Sequence, residues 1–223
     1  MVTPLIVKYN LSATVATVRL TRPAISLKYL ASLLSGTIPR PISLVTKITV
    51  FPSLDAIKFS NDSNSDSDKV IEAGDFVTFD FGAVYKGYHS DMTRTIVMGP
   101  ASELQKKLYS IVLEAQKRGV AAVKAGITGK ELDAVCRDYI KEYGYTKEFN
   151  HGTGHGVGLE IHEEPVANTK SDTVFTENMI ITVEPGIYIT GTIGLRIEDS
   201  VIVKSDGYEV LTHSPKELIE IGI

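Results

Sequence analysis

FVTFDFGAVYKGYHSDMTRTIV, residues 76–97, is the stretch that decides the fold. Its first six residues alternate: Val77, Phe79 and Phe81 point one way and Thr78 and Asp80 the other, the pattern of a half-buried strand. Residues 88–97 alternate again, with His89, Asp91, Thr93 and Thr95 on one face. Tyr85, Lys86 and Gly87 supply turn chemistry between the two runs, so a β-hairpin is the simplest reading. The alternation lets Asp80 and Asp91 face the same side of adjacent strands, a geometry in which two carboxylates can share metal ions. A lone aspartate on a strand is normally a solvated surface group. Asp80, however, lies in an otherwise apolar strand, where an unpaired carboxylate is costly to bury and a cation would supply the missing charge.

Outward from the hairpin the pattern changes. NDSNSDSD, residues 61–68, is polar and turn-forming and reads as a loop or linker. Residues 102–125 carry Leu104, Leu108, Ile111, Val112 and Ala115 at helical spacing. A second helix is predicted to start at Thr128, with Glu131 completing a capping box. Leu132, Val135, Cys136 and Ile140 form its apolar stripe and Gly144 ends it. Residues 179–183, 195–203 and 208–211 read as further strands. A hairpin, two helices and more strands describe an α+β domain with helices on one sheet face.

Downstream lie three more dense motifs: HGTGHGVGLEIHEEP (residues 151–165), VEPGIY (183–188) and RIED (196–199). His151, His155 and His162 fall among Gly152, Gly154, Gly156 and Gly158, which let backbone approach a ligand closely. Only one of these histidines need bind metal; the others can donate to a substrate carbonyl or a developing oxyanion. Glu184 precedes a Pro-Gly turn that leaves its carboxylate at a strand rim, able to hold metal or serve as general base. Glu198 is read as lying in an apolar strand, so its burial requires a partner, and Arg196 is placed to orient a ligand carboxylate. Asp80, Asp91, His155, Glu184 and Glu198 thus offer four carboxylates and one imidazole, without a thiolate. Such a set suits divalent Mn, Co or Zn better than a structural zinc site. Two ions about 3.5–4 Å apart usually mean hydrolysis by an activated water.

Composition narrows the classes further. The 223 residues hold one sizeable domain, alone or with a short extra segment. A net charge of −4 gives no electrostatic reason to expect nucleic acid. The single cysteine, Cys136, rules out an internal disulfide, reads as a packing residue and fits a reducing, cytoplasmic setting. No apolar run reaches the roughly 18–20 residues of a membrane helix. The charge is unevenly spread: residues 1–60 carry +6 and residues 61–223 carry −10. A basic, hydroxyl-rich start resembles a transit peptide, but the high apolar content and the lack of a cleavage-like boundary favour a terminal remnant with partial strands or a helix near residues 24–34.

Taken together, DFG…GYHSDMTRT, GTGHGVGLEIHEEP, VEPGIY and RIED resemble the metallopeptidases of the pita-bread (creatinase/aminopeptidase-like) fold. That group includes Xaa-Pro aminopeptidases, Xaa-Pro dipeptidases and methionine aminopeptidases, and the motif wording is closest to the proline-specific branch. The resemblance implies that Asp80, Asp91, His155, Glu184 and Glu198 hold two divalent ions, Mn or Co, with Zn or Fe compatible. Asp91 and Glu198 would be the bridging carboxylates, and His151 and His162 the histidines contacting substrate and oxyanion. It implies a small peptide substrate, a catalytic role for Glu184 as well as for the two histidines, and allows a homodimer. Two departures stand out. The proline-specific branch usually has a histidine some 17 residues before the first ligand aspartate, where this chain has Ser63, and no histidine precedes His89. It also usually carries a large N-terminal domain. We therefore expect residues 1–66 to be a divergent segment and residues 67–223 the metallopeptidase domain, cleaving before proline with reduced efficiency. The alternatives are a methionine aminopeptidase-like enzyme and a metal-binding member or fragment with weak or no activity.

Overall fold

The computed structural model describes the backbone of residues 43–51 and, in full, residues 71–222. Twelve strands and two helices follow along the described chain. They are β1 (Ser43–Phe51), β2 (Phe76–Tyr85), β3 (Tyr88–His89), β4 (Met92–Met98), α1 (Glu103–Ala122), α2 (Gly129–Glu142), β5 (Gly154–Gly156) and β6 (Glu163–Ala167). The series continues with β7 (Ile180–Val183), β8 (Gly186–Ile189), β9 (Ile193–Arg196), β10 (Asp199–Val203), β11 (Tyr208–Val210) and β12 (Glu220–Ile221). One sheet runs β1-β2-β4-β12 with β3 also paired to β2, a second runs β11-β10-β7-β5-β6, and β8 pairs with β9 alone.

Both helices begin with capping boxes, Ser102 with Gln105 and Thr128 with Glu131. A cap contributes about 1 kcal/mol, whereas each large apolar side chain fully buried contributes roughly 1.5–3 kcal/mol, so their inward faces hold these helices in place. Leu108, Ile111, Val112 and Ala115 of α1 and Leu132, Cys136 and Ile140 of α2 share one core with Phe76, Val97, Ile181, Val183, Leu195, Val201 and Val203. Val77, Phe79, Ile96 and Met98 form a smaller cluster that includes the other face of β2. Two stripe assignments change. Leu104 is 44% exposed, and Gln105 and Tyr109 take inward positions. Val135 is half-buried, while the charged Asp133 is fully inside.

The expected strand over residues 195–203 is two strands. Arg196 pairs with Gly186 and Asp199 with Val183, so the chain leaves one sheet and enters another at Ile197 and Glu198. β1 lies within the expected N-terminal segment, residues 1–66. It pairs with β2 along its length, from Ser43↔Val84 to Phe51↔Phe76. Ser63 and residues 24–34 lie outside the described residues.

Behind the sheets, a buried polar cluster fixes the end of the chain. Asp199, fully buried, accepts from Arg94 Nη2 (2.7 Å), Lys216 Nζ (2.6 Å), Gln116 Nε2 (2.9 Å) and Thr212 Oγ1 (2.7 Å). Burial alone would raise its pKa; these partners, Arg94 foremost, bring it below the ordinary value. Arg94 also donates to the carbonyls of Ser214 and Pro215, and Tyr109 to that of Lys216.

Candidate metal centre

The hairpin comes first. Lys86 (φ 51°) and Gly87 (φ 85°) both adopt positive φ, the requirement of a two-residue type I′ turn. Register then follows without a slip: Tyr85 faces Tyr88, Val84 faces His89, and Asp80 faces Thr93. Asp91, two residues before Thr93, therefore projects on the same side as Asp80. Opposite it lies Gly82, where an added Cβ would stand 2.0 Å from the Ser90 carbonyl oxygen; only glycine permits this approach.

β5 brings in the histidines. Gly154 is pressed against β7, with room for no Cβ: one would sit 1.9 Å from the Thr182 carbonyl oxygen. His155 Nδ1 lies 2.9 Å from the Gly156 carbonyl oxygen. A carbonyl only accepts, so the proton on Nδ1 is directed at it and Nε2 faces the carboxylates, free to ligate a cation once the ring is neutral. That Nε2 is 3.2 Å from Glu184 Oε1 and 3.7 Å from Asp91 Oδ2. His151 repeats the arrangement, with Nδ1 2.8 Å from the Gly152 carbonyl oxygen and a buried Nε2 that has no protein partner. Its ring stands between Phe149 and Tyr188, with centroids at 5.1 and 5.5 Å. His162 is exposed, its ring edge-on to His155 at 4.4 Å.

Two glutamates close the site. Glu184 follows β7 directly; its backbone N–H donates to the Thr153 carbonyl (2.7 Å), and Thr182 Oγ1 donates to its Oε1 (3.1 Å). Glu198 sits at the crossing between sheets, its N–H donating to the Thr93 carbonyl (3.1 Å) and its Oε2 accepting from Thr93 Oγ1 (2.5 Å). Arg196 reaches across from β9, donating from Nη2 to Asp80 Oδ2 (2.6 Å), from Nε to Thr93 Oγ1 (3.0 Å) and from Nη1 to Tyr188 Oη (3.3 Å). Thr93 and Tyr188 are site residues that the sequence reading missed. Thr93 shares the Asp91 face of the alternating run, which was the available signal; Tyr188 gave none.

The structure brings all five expected ligands together. The ligand atoms of Asp80, Asp91 and Glu198 lie within 4.8 Å of one another, as do those of His155, Glu184 and Glu198, and those of Asp91, His155 and His162. Asp91, His155 and Glu198 each belong to two of these groups.

Charge balance favours a cation. Burial, then the Asp80 and Glu184 charges, pushes the Asp91 carboxyl up to about 7. Burial and the same kind of repulsion, from Glu184 and Asp91, raise Glu198 well above its ordinary value. Glu184 goes the other way: burial opposes ionisation, but the His155 hydrogen bond and the Arg196 charge prevail and lower its pKa. The counterpart effect raises that of His155 against the pull of burial. Asp91 Oδ1 and Glu198 Oε1 are buried without a hydrogen-bond partner. Orphaned carboxylate oxygens beside an imidazole nitrogen that can give up its proton fit divalent cations.

Residues 45–205 match metallopeptidase family M24. The chain belongs to that family. An Xaa-Pro dipeptidase of Pyrococcus horikoshii is 54% identical to this M24 chain over 153 residues, 69% of this chain and 44% of that protein. Among solved structures, an Xaa-Pro dipeptidase from Bacillus anthracis aligns with TM-score 0.75 at 50% identity, covering 90% of this chain and 56% of the other. An X-Pro aminopeptidase from Thermotoga maritima aligns with TM-score 0.72 at 43% identity, covering 79% and 49%. The fold is the α+β pita-bread fold of these M24 enzymes. The M24 match begins within β1, upstream of the expected domain boundary. The chain spans less than half the length of the curated relatives it matches (43–44%). Among the described residues, no helix is long and apolar enough to cross a membrane.

Proposed function

We propose that the chain is a dinuclear metal-dependent exopeptidase that hydrolyses the bond before proline in Xaa-Pro dipeptides or peptide N-termini. The observation that carries this reading is the meeting of Asp80, Asp91, His155, Glu184 and Glu198 in overlapping groups that share Asp91, His155 and Glu198. These five would hold the two ions, Mn²⁺ or Co²⁺, with Asp91 and Glu198 shared between them. Ions bound there supply Lewis-acid polarisation of the scissile carbonyl and a hydroxide nucleophile at neutral pH.

The remaining work falls to the protein's side chains. Glu184, held ionised, can accept a proton. His162 lies at the mouth of the cluster, and burial together with the neighbouring His155 charge lowers its pKa. It therefore offers a neutral imidazole N–H to the developing oxyanion. His151 takes the part of an acceptor in this reading. Burial lowers its pKa, and its one ring proton is directed at Gly152, so Nε2 accepts rather than donates. The nitrogen of an Xaa-Pro bond carries no hydrogen. The main-chain donor that such a dipeptide can offer His151 is thus its terminal ammonium.

The test is release of proline from Ala-Pro or Gly-Pro by the Mn²⁺- or Co²⁺-loaded chain, beside release of methionine from Met-Ala. Metal-dependent proline release, abolished by EDTA, is the expected result. Given Ser63 where the proline-specific branch has histidine, turnover is expected to be slow. Methionine release would point to the methionine aminopeptidase reading, and neither product to a member that binds metal without peptidase activity.

A further inference from the structure

Asp133 and Arg137 lie one turn apart on α2, and no apolar stripe explains their burial. Arg137 uses its whole fork. Nε and Nη2 engage Asp133 Oδ2 and Oδ1 at 2.6 and 2.9 Å, Nη1 donates to the Phe149 carbonyl (2.7 Å), and Nη2 also donates to the His151 carbonyl (2.6 Å). The guanidinium carbon stands 4.3 Å from the centroid of the Phe149 ring, which packs edge-on against His151. Asp133, 1% exposed, accepts from both the backbone N–H and the Oγ1 of Thr153, each at 3.0 Å. Thr153 in turn accepts, through its carbonyl, from the backbone N–H of Glu184 at 2.7 Å.

We propose that Asp133 and Arg137 are positioning residues of the metal centre, setting the backbone path of residues 149–153 and thereby the placement of His151 and Glu184. This rests on the functional reading above. The segment precedes β5 and has little ladder of its own, so its buried polar groups need side-chain partners. A planar fork meets two carbonyls and one carboxylate at once, which an ammonium cannot do. Both residues are remote from the ligand atoms themselves, so their influence runs through the loop.

The experiment compares the full parent chain with Arg137→Lys and Asp133→Asn, two variants that keep size and polarity. Co²⁺ affinity, the visible absorption of the Co²⁺-loaded protein, thermal stability and Ala-Pro hydrolysis per folded, loaded molecule are read together. We expect Co²⁺ binding to weaken by about tenfold in each variant, the low end for groups that support metal ligands. The Co²⁺ absorption should shift, and kcat should fall. A purely structural pair would lower Tm while Co²⁺ affinity, absorption and kcat stayed at parent values; that result overturns the proposal. A parent that binds Co²⁺ but does not hydrolyse Ala-Pro overturns the functional reading, and the Co²⁺ comparison still decides the role of the pair. A parent that takes up no Co²⁺ overturns both.

Discussion

Asp91→Asn tests the charge balance of the centre with a reversal of sign. In the metal-free fold the Asp91 carboxyl is raised from 3.8 to about 7, by burial first and then by Asp80 and Glu184. The native state therefore binds this proton more tightly than the unfolded state. The corresponding stability is fully present below pH 3.8 and is lost as pH rises through about 7. At pH 8 the ionised group destabilises the metal-free fold by about 4 kcal/mol at most, from 1.36 kcal/mol per pKa unit. Asparagine keeps the shape and removes the charge, and its amide can donate to neighbouring carboxylates. After allowance for relaxation, a net gain of about 1–3 kcal/mol is expected. For a chain of this size each kcal/mol moves Tm by roughly 2–4 °C. Circular dichroism melts in EDTA should thus show Asp91→Asn above the parent at pH 8, with the gap narrowing at pH 5. In excess Mn²⁺ the order should invert, because binding at 100 times Kd stabilises by about 2.7 kcal/mol and the variant lacks a bridging carboxylate. A variant that melts below the parent in EDTA at pH 8, or that gains as much from Mn²⁺, would refute the reasoning.

His162→Ala should leave metal content unchanged and lower kcat by roughly 10²–10³; an unaltered kcat in loaded protein removes the oxyanion role. Gly154→Ala sets a Cβ against the Thr182 carbonyl and should destabilise by at least the ~1–3 kcal/mol of ordinary overpacking, read by urea titration. An unshifted midpoint would mean that β5 is not seated as described. Metal affinity should fall as pH drops below neutrality, because the imidazole and carboxylates must be deprotonated to bind. Calorimetry at pH 5 and 7.5 checks this, and equal affinities would contradict the proposed ligand set.

The hairpin was legible because period-two alternation fixes the facing of side chains: placing Asp80 and Thr93 opposite each other needs only the turn at Lys86 and Gly87. The start of the second helix was legible from its capping box at Thr128 and Glu131. The break at Ile197 and Glu198 was not, since an apolar run looks the same whether its residues serve one sheet or two. Asp133 and Arg137 were also hidden. Their spacing matches that of Glu114 and Arg118, an exposed pair on α1, and only the loop folded over α2 distinguishes them. The acceptor tautomer of His151 depends on the direction of one carbonyl, which no residue pattern encodes.

The Asp199 cluster gives the end of the described chain an influence that its position would not suggest. Thr212, Ser214, Pro215 and Lys216 all lie downstream of residue 205, where the M24 match stops, yet Thr212 and Lys216 satisfy Asp199, next to Glu198, and Ser214 and Pro215 satisfy Arg94, next to Thr93. Trimming the protein after Leu211 would strip Asp199 of Lys216 and Thr212 and strip Arg94 of two carbonyl acceptors. Asp199 would keep Arg94 and Gln116, so the cost lies below the roughly 3–5 kcal/mol of leaving a buried charge without any partner. Residues 212–216 therefore act as a foundation stone laid from behind under the turn that carries Glu198. Carboxy-terminal clipping should therefore lower Tm and weaken metal uptake without removing a single ligand.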